Sequence, residues 1–531
     1  MTSHVEGSGD AAEGDHVLEI RDPATRELVE EVPESGPDAV ERAVTDAAVA
    51  QRAWADRSIG ARRAVLERAR ELLLERRDDI AATISAENGK PPGEAIGADV
   101  GPALATASFL IERGPDILAE SLSLDGLAAV GESTIVREPV GVVGLITPWN
   151  YPFGIPAVEA LPALFAGNAV VLKPAEETTL SALALRDLLH DAGVPTDAFQ
   201  VVPGRGAVTG EALSTAALDH VSFTGSAEVG FQVQETCQAR GVSTSLELGG
   251  SDPAVVLPDA DLELTADGLT WARFANAGQS CGAPKRCFVL EPVADDLTDA
   301  IVERVERLDV GGAAGPDYEF GPLIAADAVE TIHDQVQRSV DQGARIVTGG
   351  EPLDREGHYY PPTVLRDVEP DMPVMTEETF GPVLPIVPVA DADAAIALAN
   401  DTPYGLTGSV WTTDTDRGEA LARRIEAGTV TVNDHLYTFS LHATPWGGPG
   451  DSGGDFSHGR WGLEAVTEAK HVHVAAGEAS LSNGRFTDLW WFPYEEGYRG
   501  TIGRAMEAMH SSSTLRRLRR TPGLLRAAIT K

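Results

Sequence analysis

Residues 169–173 read Ala-Val-Val-Leu-Lys, and this apolar run begins an alternation of strands and helices that decides the fold. The predicted strands of this block are Ala169–Lys173, Phe199–Val202, His220–Phe223 and Ser243–Leu248. The predicted helices between them are Thr179–Ala192, Ala207–Thr215 and Ala227–Ala239. Alternation at this spacing is typical of a doubly wound parallel sheet. The sequence therefore predicts an α/β fold.

The chain on either side of this block extends the prediction. Residues 37–115 are rich in Ala, Leu, Arg and Glu with helical periodicity, and they predict three helices. Residues 135–147 are rich in β-branched residues, and a second alternating block runs from 253 to about 433. After Pro445 the chain is rich in glycine before a helix is predicted near Leu463. At 531 residues, two or three domains are expected.

The charge balance excludes one class of protein. The chain has 41 Lys and Arg against 82 Asp and Glu, a net charge of −41, so we expect no nucleic-acid partner. Lysine is scarce and arginine supplies most of the positive charge. An acidic, lysine-poor surface predicts adaptation to concentrated salt, where charges are screened over about 3 Å at 1 M. Compositional bias of the genome is the alternative explanation.

The compartment is predicted from what the sequence lacks. The three cysteines form neither a disulfide framework nor a CxxC pair, so no zinc or other metal site is expected. Residues 1–16 are acidic and glycine-rich, which predicts a disordered lead rather than a targeting signal. No uninterrupted apolar run reaches 18 residues, so no membrane span is expected. We therefore expect a cytoplasmic protein.

Cys281 is the candidate nucleophile. It lies in Asn276-Ala-Gly-Gln-Ser-Cys281-Gly, where the glycines indicate an irregular, exposed backbone. A thiolate attacks carbonyl carbons well, but a free cysteine needs an activating neighbour to ionise at neutral pH. Cys237, within a predicted helix, and Cys287, within a predicted strand, are interpreted as small buried apolar residues.

Three other features follow predicted strands, where an α/β sheet binds ligands. Lys173 ends a strand and points to the ligand crevice or into solvent. The turn Gly204–Gly210 contacts a cofactor or is a simple strand–helix turn, because it departs from GxGxxG by one residue. Gly225 and Ser226 begin a helix, where their backbone N–H groups either bind a phosphate or cap the helix.

Several uncommon motifs occur in one order across residues 17–475, and together they resemble the aldehyde dehydrogenase superfamily. The motifs are Pro148-Trp-Asn-Tyr-Pro, Lys173-Pro-Ala-Glu, Phe223-Thr-Gly-Ser with Val229-Gly, Glu247-Leu-Gly-Gly, Gly278-Gln-Ser-Cys, Glu377-Glu-Thr-Phe-Gly-Pro and Pro445-Trp-Gly-Gly. The resemblance implies a Rossmann-type cofactor domain, an α/β catalytic domain and a small β oligomerisation arm.

The resemblance also implies the domain limits. The expected cofactor domain is 17–120 and 140–249, with 446–470 returning to it. The expected oligomerisation arm is 121–139 and 471–480, and the expected catalytic domain is 250–445. Such an arm implies a homodimer or homotetramer.

The resemblance assigns the chemistry to three residues. Cys281 would attack an aldehyde to form a thiohemiacetal, and the Asn150 amide with the Cys281 backbone N–H would bind the oxyanion. Transfer of a hydride to the nicotinamide would leave a thioester. Glu247 would activate the water that hydrolyses it.

The resemblance implies NAD as cofactor, with NADP as the alternative. Lys173 and Glu176 would bind the adenosine ribose, and the Glu176 carboxylate would repel a 2′-phosphate, which favours NAD. The remaining expected cofactor residues are Ile146, Trp149, Gly206, Gly225, Ser226, Leu248, Glu378 and Phe380.

Two further readings of the function stay open. Relatives that transfer the acyl group to coenzyme A lack a carboxylate at the position of Glu247, so its presence favours hydrolysis. A catalytically silent member of the fold would be expected to lose Cys281, Glu247 or Asn150, and all three are present.

The sequence leaves the aldehyde open. Glu247-Leu-Gly-Gly-Ser-Asp-Pro resembles semialdehyde dehydrogenases, whereas Asn433-Asp-His resembles broad-specificity aryl or alkyl members. The loop from Pro445 lacks the lysine usual in the family, and Ser251 stands where lysine is common. We expect these departures to affect subunit contacts and substrate choice.

The extension 485–531 is basic, whereas the chain as a whole is acidic. It is basic and arginine-rich, begins with the aromatic run Leu489-Trp-Trp-Phe-Pro-Tyr, and then has apolar residues at roughly helical spacing. This pattern predicts an amphipathic segment that contacts an anionic membrane surface peripherally. Packing on the acidic body of the protein or on a neighbouring subunit is the alternative.

Overall fold

Two sheets of mainly parallel strands carry the predicted motifs in the computed structural model. The structure describes residues 16–119, 121–122, 131–311, 318–475, 492 and 498–512. The strands are β1 (Val17–Arg21), β2 (Leu28–Pro33), β3 (Ser121–Leu122), β4 (Gly131–Pro139), β5 (Val142–Ile146), β6 (Ala169–Lys173), β7 (Phe199–Val201), β8 (His220–Thr224), β9 (Ser243–Glu247), β10 (Asp252–Val256), β11 (Pro284–Leu290), β12 (Arg345–Thr348), β13 (Thr363–Arg366), β14 (Val383–Val389), β15 (Thr407–Trp411), β16 (Thr429–Val432) and β17 (Thr467–Ala475).

The helices connect these strands and cover the faces of the sheets. They are α1 (Pro37–Ala55), α2 (Ile59–Asn88), α3 (Pro92–Ala95), α4 (Gly101–Leu118), α5 (Gly154–Ala166), α6 (Thr179–Ala192), α7 (Glu211–Thr215), α8 (Ala227–Gln238), α9 (Leu262–Phe274), α10 (Ala294–Val305), α11 (Ala326–Asp341), α12 (Pro373–Thr376), α13 (Ala392–Asn400), α14 (Thr415–Ala422), α15 (Gly459–Ala465) and α16 (Tyr498–His510).

The first parallel sheet has the order β7-β6-β5-β8-β9, and every neighbouring pair in it is parallel. The direction of winding reverses between β5 and β8. The carboxyl ends of two strands at such a reversal border a crevice, and ligands of α/β proteins bind there. The predicted α/β fold is confirmed, and the crevice between β5 and β8 is the first place to look for a site.

The second sheet has the order β12-β13-β14-β11-β10-β15-β16. Its strands are parallel except for the edge strand β12, which runs antiparallel to β13. An apolar core lies between this sheet and its helices. Helices cover both faces of a parallel sheet, so its strands are apolar along most of their length. Val255, Phe288, Ile386 and Trp411 are among its fully or almost fully buried side chains.

Local sequence explains where the longest helix begins and ends. The Ser58 hydroxyl accepts a hydrogen bond from the backbone N–H of Ala61 at 3.2 Å, which caps the start of α2. Gly89 ends the helix in a left-handed conformation with φ of 79°. A residue with a Cβ atom is disfavoured there, so the Asn88-Gly89 break is read correctly from sequence.

The helical run from Pro92 to Leu118 differs from the prediction of a simple helix. Residues 96–100 form a π-helical turn between α3 and α4. Asp99 in this turn is buried and accepts hydrogen bonds from Lys90 Nζ at 2.6 Å and from the backbone N–H of Gly154 at 2.9 Å. The π-turn contains one more residue than an α-helical turn, and its Asp99 carboxylate is directed into the protein interior. π-turns are frequent at functional sites.

The same run is the one described helix with the length and apolar character to cross a membrane, and half of its apolar window is buried inside the protein. The buried ion pair between Asp99 and Lys90 is typical of a helix that belongs to a protein core. The predicted helix over 207–215 also differs, because residues 206–210 form a π-turn that precedes α7.

The chain divides into two units. The first comprises residues 1–115 and 139–467 and contains both parallel sheets. The second comprises 116–138 and 468–531 and contains most of an antiparallel sheet of order β17-β4-β3, together with α16. Inside the second unit the Ser133 hydroxyl lies 2.9 Å from His473 Nδ1. The domain limits given above stay a prediction.

Two predicted segments lie largely outside the described residues. Of the predicted lead, His16 alone is described. Of the predicted extension 485–531, the described residues are Phe492 and 498–512, where α16 lies.

Candidate active site

The crevice between β5 and β8 opens into a cavity of about 370 Å³, here named the strand-end cavity. It is lined by Pro148, Trp149, Asn150, Ile155, Thr224, Gly225, Ser226, Leu248, Gly249, Cys281, Glu378 and Phe380. Its lining combines residues that directly follow β5, β8 and β9 with Cys281, Glu378 and Phe380 from later in the chain. The structure therefore brings six predicted cofactor residues together with Cys281 and Asn150.

The other predicted cofactor residues lie elsewhere in the same sheet. Lys173 ends β6, and its Nζ lies 3.4 Å from Glu176 Oε2. Lys173 is buried, whereas the Glu176 side chain is 38% exposed. Ile146 ends β5 and is buried beside them. Gly206 begins the π-turn before α7 and does not line the strand-end cavity.

The strand-end cavity fits a dinucleotide. A Cβ atom on Gly249 would lie 2.2 Å from Glu378 Oε2, so only glycine lets that carboxylate reach this wall. Ser226 begins α8 without using its side chain as a cap, which leaves the hydroxyl and the helix N-terminus for a phosphate. Trp149 and Phe380 meet edge to face at 5.6 Å and form an apolar wall.

A strained loop presents Cys281. Asn276 and Ala277 have φ of 53° and 54°, and Gly278 has φ of 73°. The buried Arg273 side chain holds this loop, since its guanidinium donates to the carbonyls of Gly278 and, at 2.7 Å, of Val383. Strain of this kind persists only where surrounding contacts determine the conformation.

Lys285 fixes the peptide that carries the thiol. Its buried ammonium donates to the carbonyls of Ser280 at 3.0 Å and Cys281 at 2.5 Å. It also lies 3.6 Å from Glu378 Oε1. Burial raises the pKa of the Cys281 thiol to about 12, although the charge of Lys285 acts in the opposite direction. The thiol is therefore protonated at rest, and its activation requires a base.

Glu247 supplies a carboxyl at the end of β9. Its Oε1 accepts a hydrogen bond from the backbone N–H of Ser457 at 3.0 Å, and its buried Oε2 has no partner among the described residues. Burial raises the pKa of Glu247 well above its ordinary value, and the nearby acids Glu159 and Asp455 raise it further. A carboxyl with one free oxygen and a raised pKa suits proton transfer near neutral pH.

Asn150 is held from both ends. Its backbone carbonyl accepts from Lys90 Nζ and Asn276 Nδ2, each at 2.9 Å. Its side-chain Nδ2 donates one hydrogen to the Gln279 carbonyl at 3.0 Å. An amide nitrogen carries two hydrogens, so the second is available to an oxyanion that forms beside Cys281.

A second cavity of about 350 Å³ lies on the other side of the thiol and is named the aromatic cavity. Tyr151, Trp271, Phe439 and Trp446 line it. Cys281 lines this cavity as well as the strand-end cavity. The thiol thus borders both cavities.

Sequence reasoning missed several buried charges that support the site. Lys90 and Lys285 anchor Asn150 and Cys281, and the scarcity of lysine that drew attention to Lys173 applied equally to both. Arg273 gave no signal, because arginine is common in this chain. Glu159 accepts hydrogen bonds from Ser222 at 3.0 Å and Thr224 at 2.5 Å, and burial raises its pKa to about 7.

Comparisons with known proteins agree with this geometry. The model of the aldehyde dehydrogenase family matches residues 10–472. The succinate-semialdehyde dehydrogenase [NADP(+)] of Escherichia coli (strain K12) is 35% identical over 466 residues, which cover 88% of this chain and 95% of that protein.

Solved structures agree as well. The NAD-dependent aldehyde dehydrogenase from Sinorhizobium meliloti has a TM-score of 0.84 at 35% identity, covering 89% of this chain and 93% of that chain. The NAD+ complex of an aldehyde dehydrogenase from Bacillus cereus has a TM-score of 0.83 at 31% identity, covering 87% and 94%. The chain belongs to the aldehyde dehydrogenase family and is an oxidoreductase that oxidises an aldehyde to the carboxylic acid with NAD(P).

Proposed function

We propose that Cys281 is the nucleophile, that Glu247 activates the hydrolytic water, and that Asn150 binds the oxyanion together with the Cys281 backbone N–H. The observation that carries this proposal is the position of Cys281 on the walls of both cavities. Glu247 lines the aromatic cavity and Asn150 lines the strand-end cavity, so both flank the thiol.

The reaction begins when the Cys281 thiol gives its proton to solvent water and the sulfur bonds to the aldehyde carbon. The carbonyl oxygen becomes an oxyanion, to which the Asn150 amide and the Cys281 N–H donate. A nicotinamide bound in the strand-end cavity supplies the acceptor for the hydride that leaves this carbon. The oxygen then re-forms a carbonyl, which leaves a thioester on Cys281.

Water completes the reaction from the side of Glu247. The carboxylate accepts a proton from water, the oxygen attacks the thioester carbon, and the carbon–sulfur bond breaks. The carboxylic acid leaves, and the Glu247 carboxyl gives the proton that it took from water to the Cys281 sulfur, which restores both groups. The raised pKa of Glu247 supports this role, since burial makes the carboxylate a stronger proton acceptor than an ordinary carboxylate.

We also propose that NAD is preferred over NADP. Lys173 and Glu176 are suited to bind the hydroxyl groups of a ribose. The Lys173 ammonium is a hydrogen-bond donor, the Glu176 carboxylate is an acceptor, and Lys173 Nζ lies 3.4 Å from Glu176 Oε2. The partly exposed Glu176 carboxylate places a negative charge where the 2′-phosphate of NADP would bring another. The Escherichia coli relative is named for NADP(+), so a preference of this chain for NAD would distinguish the two proteins.

Trapping the acyl enzyme tests the proposed roles. The enzyme is mixed with an aldehyde and NAD, quenched in acid, and its peptides are weighed by mass spectrometry. We expect an acyl group on the Cys281 peptide, and more of it in Glu247→Gln because hydrolysis is slowed. An acyl group on another residue, or none in either protein despite NADH formation, contradicts the proposal.

The predicted assembly as a homodimer or homotetramer is also a proposal. The sheet β17-β4-β3 ends in edge strands, whose unpaired backbone groups are able to pair with a second copy. Light scattering of the intact protein at working salt tests it, and a monomeric mass contradicts it.

The proposed compartment is the cytoplasm, which the three free cysteines support. Peripheral membrane contact by 485–531 stays a prediction, and α16 agrees with its helical part. Deletion of these residues, followed by comparison of soluble and membrane fractions at working salt, tests that contact. Identical partition with a changed oligomeric state would instead support packing on a neighbouring subunit.

A further inference from the structure

We propose that the aromatic cavity selects uncharged aldehydes with an aromatic group and discriminates against aldehydes that also carry a carboxylate. The inference rests on the proposed function, because it assigns the substrate to the cavity beside Cys281. It also separates this chain from the Escherichia coli relative, whose name specifies succinate semialdehyde.

Aromatic rings form the walls on which a substrate would lie. Phe439 stacks on Tyr151 with ring centroids 6.1 Å apart and meets Trp446 edge to face at 5.1 Å. Trp271 and Tyr437 lie at the same cavity and stay 49% and 54% exposed. A flat ring between such walls gains apolar contact and aromatic stacking.

The charges at this cavity are acidic. Glu94, Glu159 and Glu247 line it, and no lysine or arginine is among its described lining residues. Burial raises the pKa of Glu94 to about 7 and that of Glu159 to about 7, so both carry partial negative charge at neutral pH. A substrate carboxylate would lose its hydration without gaining a cation.

The histidine that lines the aromatic cavity adds no positive charge to it. His458 lines the wall and is buried, and burial lowers its pKa well below the ordinary value. The neighbouring His442, whose ring lies 4.5 Å away, also has a lowered pKa of about 4. Both imidazoles are therefore neutral under working conditions.

Nearby cations already have acidic or carbonyl partners. Lys90 is paired with Asp99 at 2.6 Å and lies over the ring of Tyr151. Arg304 and Arg307 line an adjacent cavity that shares Trp271, and each is paired with carboxylates of α9 or α10. A carboxylate on the substrate would have to compete with these ion pairs.

Matched pairs of substrates test the proposal. kcat/KM is measured with NAD for 4-methylbenzaldehyde against 4-carboxybenzaldehyde, and for butanal against succinate semialdehyde. We expect the uncharged member of each pair to be favoured about 100-fold, and the aryl aldehyde to exceed butanal. Equal or better use of the carboxylated members overturns the proposal.

One variant supplies the missing cation. Trp271→Arg places a positive charge at the cavity on a side chain that is half exposed, so folding is expected to tolerate it. It should raise kcat/KM for 4-carboxybenzaldehyde relative to 4-methylbenzaldehyde at least about tenfold. Val49→Arg is the control, because Val49 is 72% exposed on α1 and should leave the ratio unchanged.

Two further outcomes are distinguishable. Betaine aldehyde, whose cation suits aromatic rings and acids, is included in the panel, and a preference for it over 4-methylbenzaldehyde overturns the uncharged class. If no aldehyde yields NADH or NADPH, the proposed function itself fails. If aldehydes are oxidised without charge discrimination, only the assignment of substrate class fails.

Discussion

The two cavities that meet at Cys281 are built in different ways. Most of the strand-end cavity comes from residues that directly follow β5, β8 and β9, so short motifs specify it. The aromatic cavity is lined by residues of α5, α9, the π-turn at residues 96–100 and the segment from Leu436 to His458. These segments are distant in sequence.

This difference in construction corresponds to a difference between the two molecules that the enzyme would bind, the dinucleotide and the aldehyde. A dinucleotide is the same molecule in every enzyme that uses it, so a strand-end turn of fixed composition suffices to bind it. An aldehyde varies in its side group, and the walls that meet this group lie on irregular segments. Changes at the two cavities should therefore affect different kinetic quantities.

The largest expected effect is at Cys281, the proposed nucleophile, which lines both cavities. Cys281→Ala should lower kcat roughly 10⁶-fold, as loss of a nucleophile does in other enzymes. NAD affinity should stay close to wild type, because the thiol has no part in the proposed cofactor contacts. Steady-state NADH formation and NAD titration by fluorescence measure the two quantities.

Cys237→Ala is the control for this change. Cys237 is buried in α8 and lines neither cavity, so its loss should leave kcat unchanged. More than trace activity in Cys281→Ala, or a matching loss in the control, would remove Cys281 from the role of nucleophile.

Glu247→Gln should separate the two halves of the reaction. Steady turnover is expected to fall roughly 10²–10⁴-fold, the usual range for a general base, while one equivalent of NADH still forms in a burst. Stopped-flow absorbance measures the burst. Glu235→Gln, an exposed change on α8, is the control, and normal turnover in Glu247→Gln would show that another base operates.

The pH profile should show the same carboxyl. Because burial raises the pKa of Glu247, its ionised form grows as pH rises above the ordinary range of a carboxyl group, and kcat for wild type should increase by up to about tenfold per pH unit along this limb. Glu247→Gln should flatten this limb. A wild-type rate that falls as pH rises would contradict the assignment of the base.

The smallest expected effect concerns the cofactor alone. Glu176→Ser removes the carboxylate beside Lys173 and should shift the ratio of kcat/KM for NADP over NAD upward about tenfold, or about 1.4 kcal/mol. The ratio between aldehydes should not move. Asp187→Ser, an exposed change on α6, is the control, and a wild type that prefers NADP contradicts the role given to Glu176.

Predictability from sequence differed between the charged residues. Lys173 and Glu247 were found because each follows or ends a strand within a recognisable motif. Lys285 and Arg273 were missed because their side chains bind backbone carbonyls. Every residue has a backbone carbonyl, so no sequence motif marks a lysine or arginine that binds one. Their function is a property of the folded backbone around them.

The sequence by itself determined the α/β alternation and the family, and it predicted Cys281, Glu247 and Asn150 as the reactive residues. Strand and helix periodicity and turn chemistry are local, so they are readable from neighbouring residues. Only the tertiary structure decided that a second cavity borders Cys281 and that acidic and aromatic side chains line it. Those side chains converge from segments up to several hundred residues apart, and their burial, which neutralises His458 and raises the pKa of Glu247, exists only once the chain is packed.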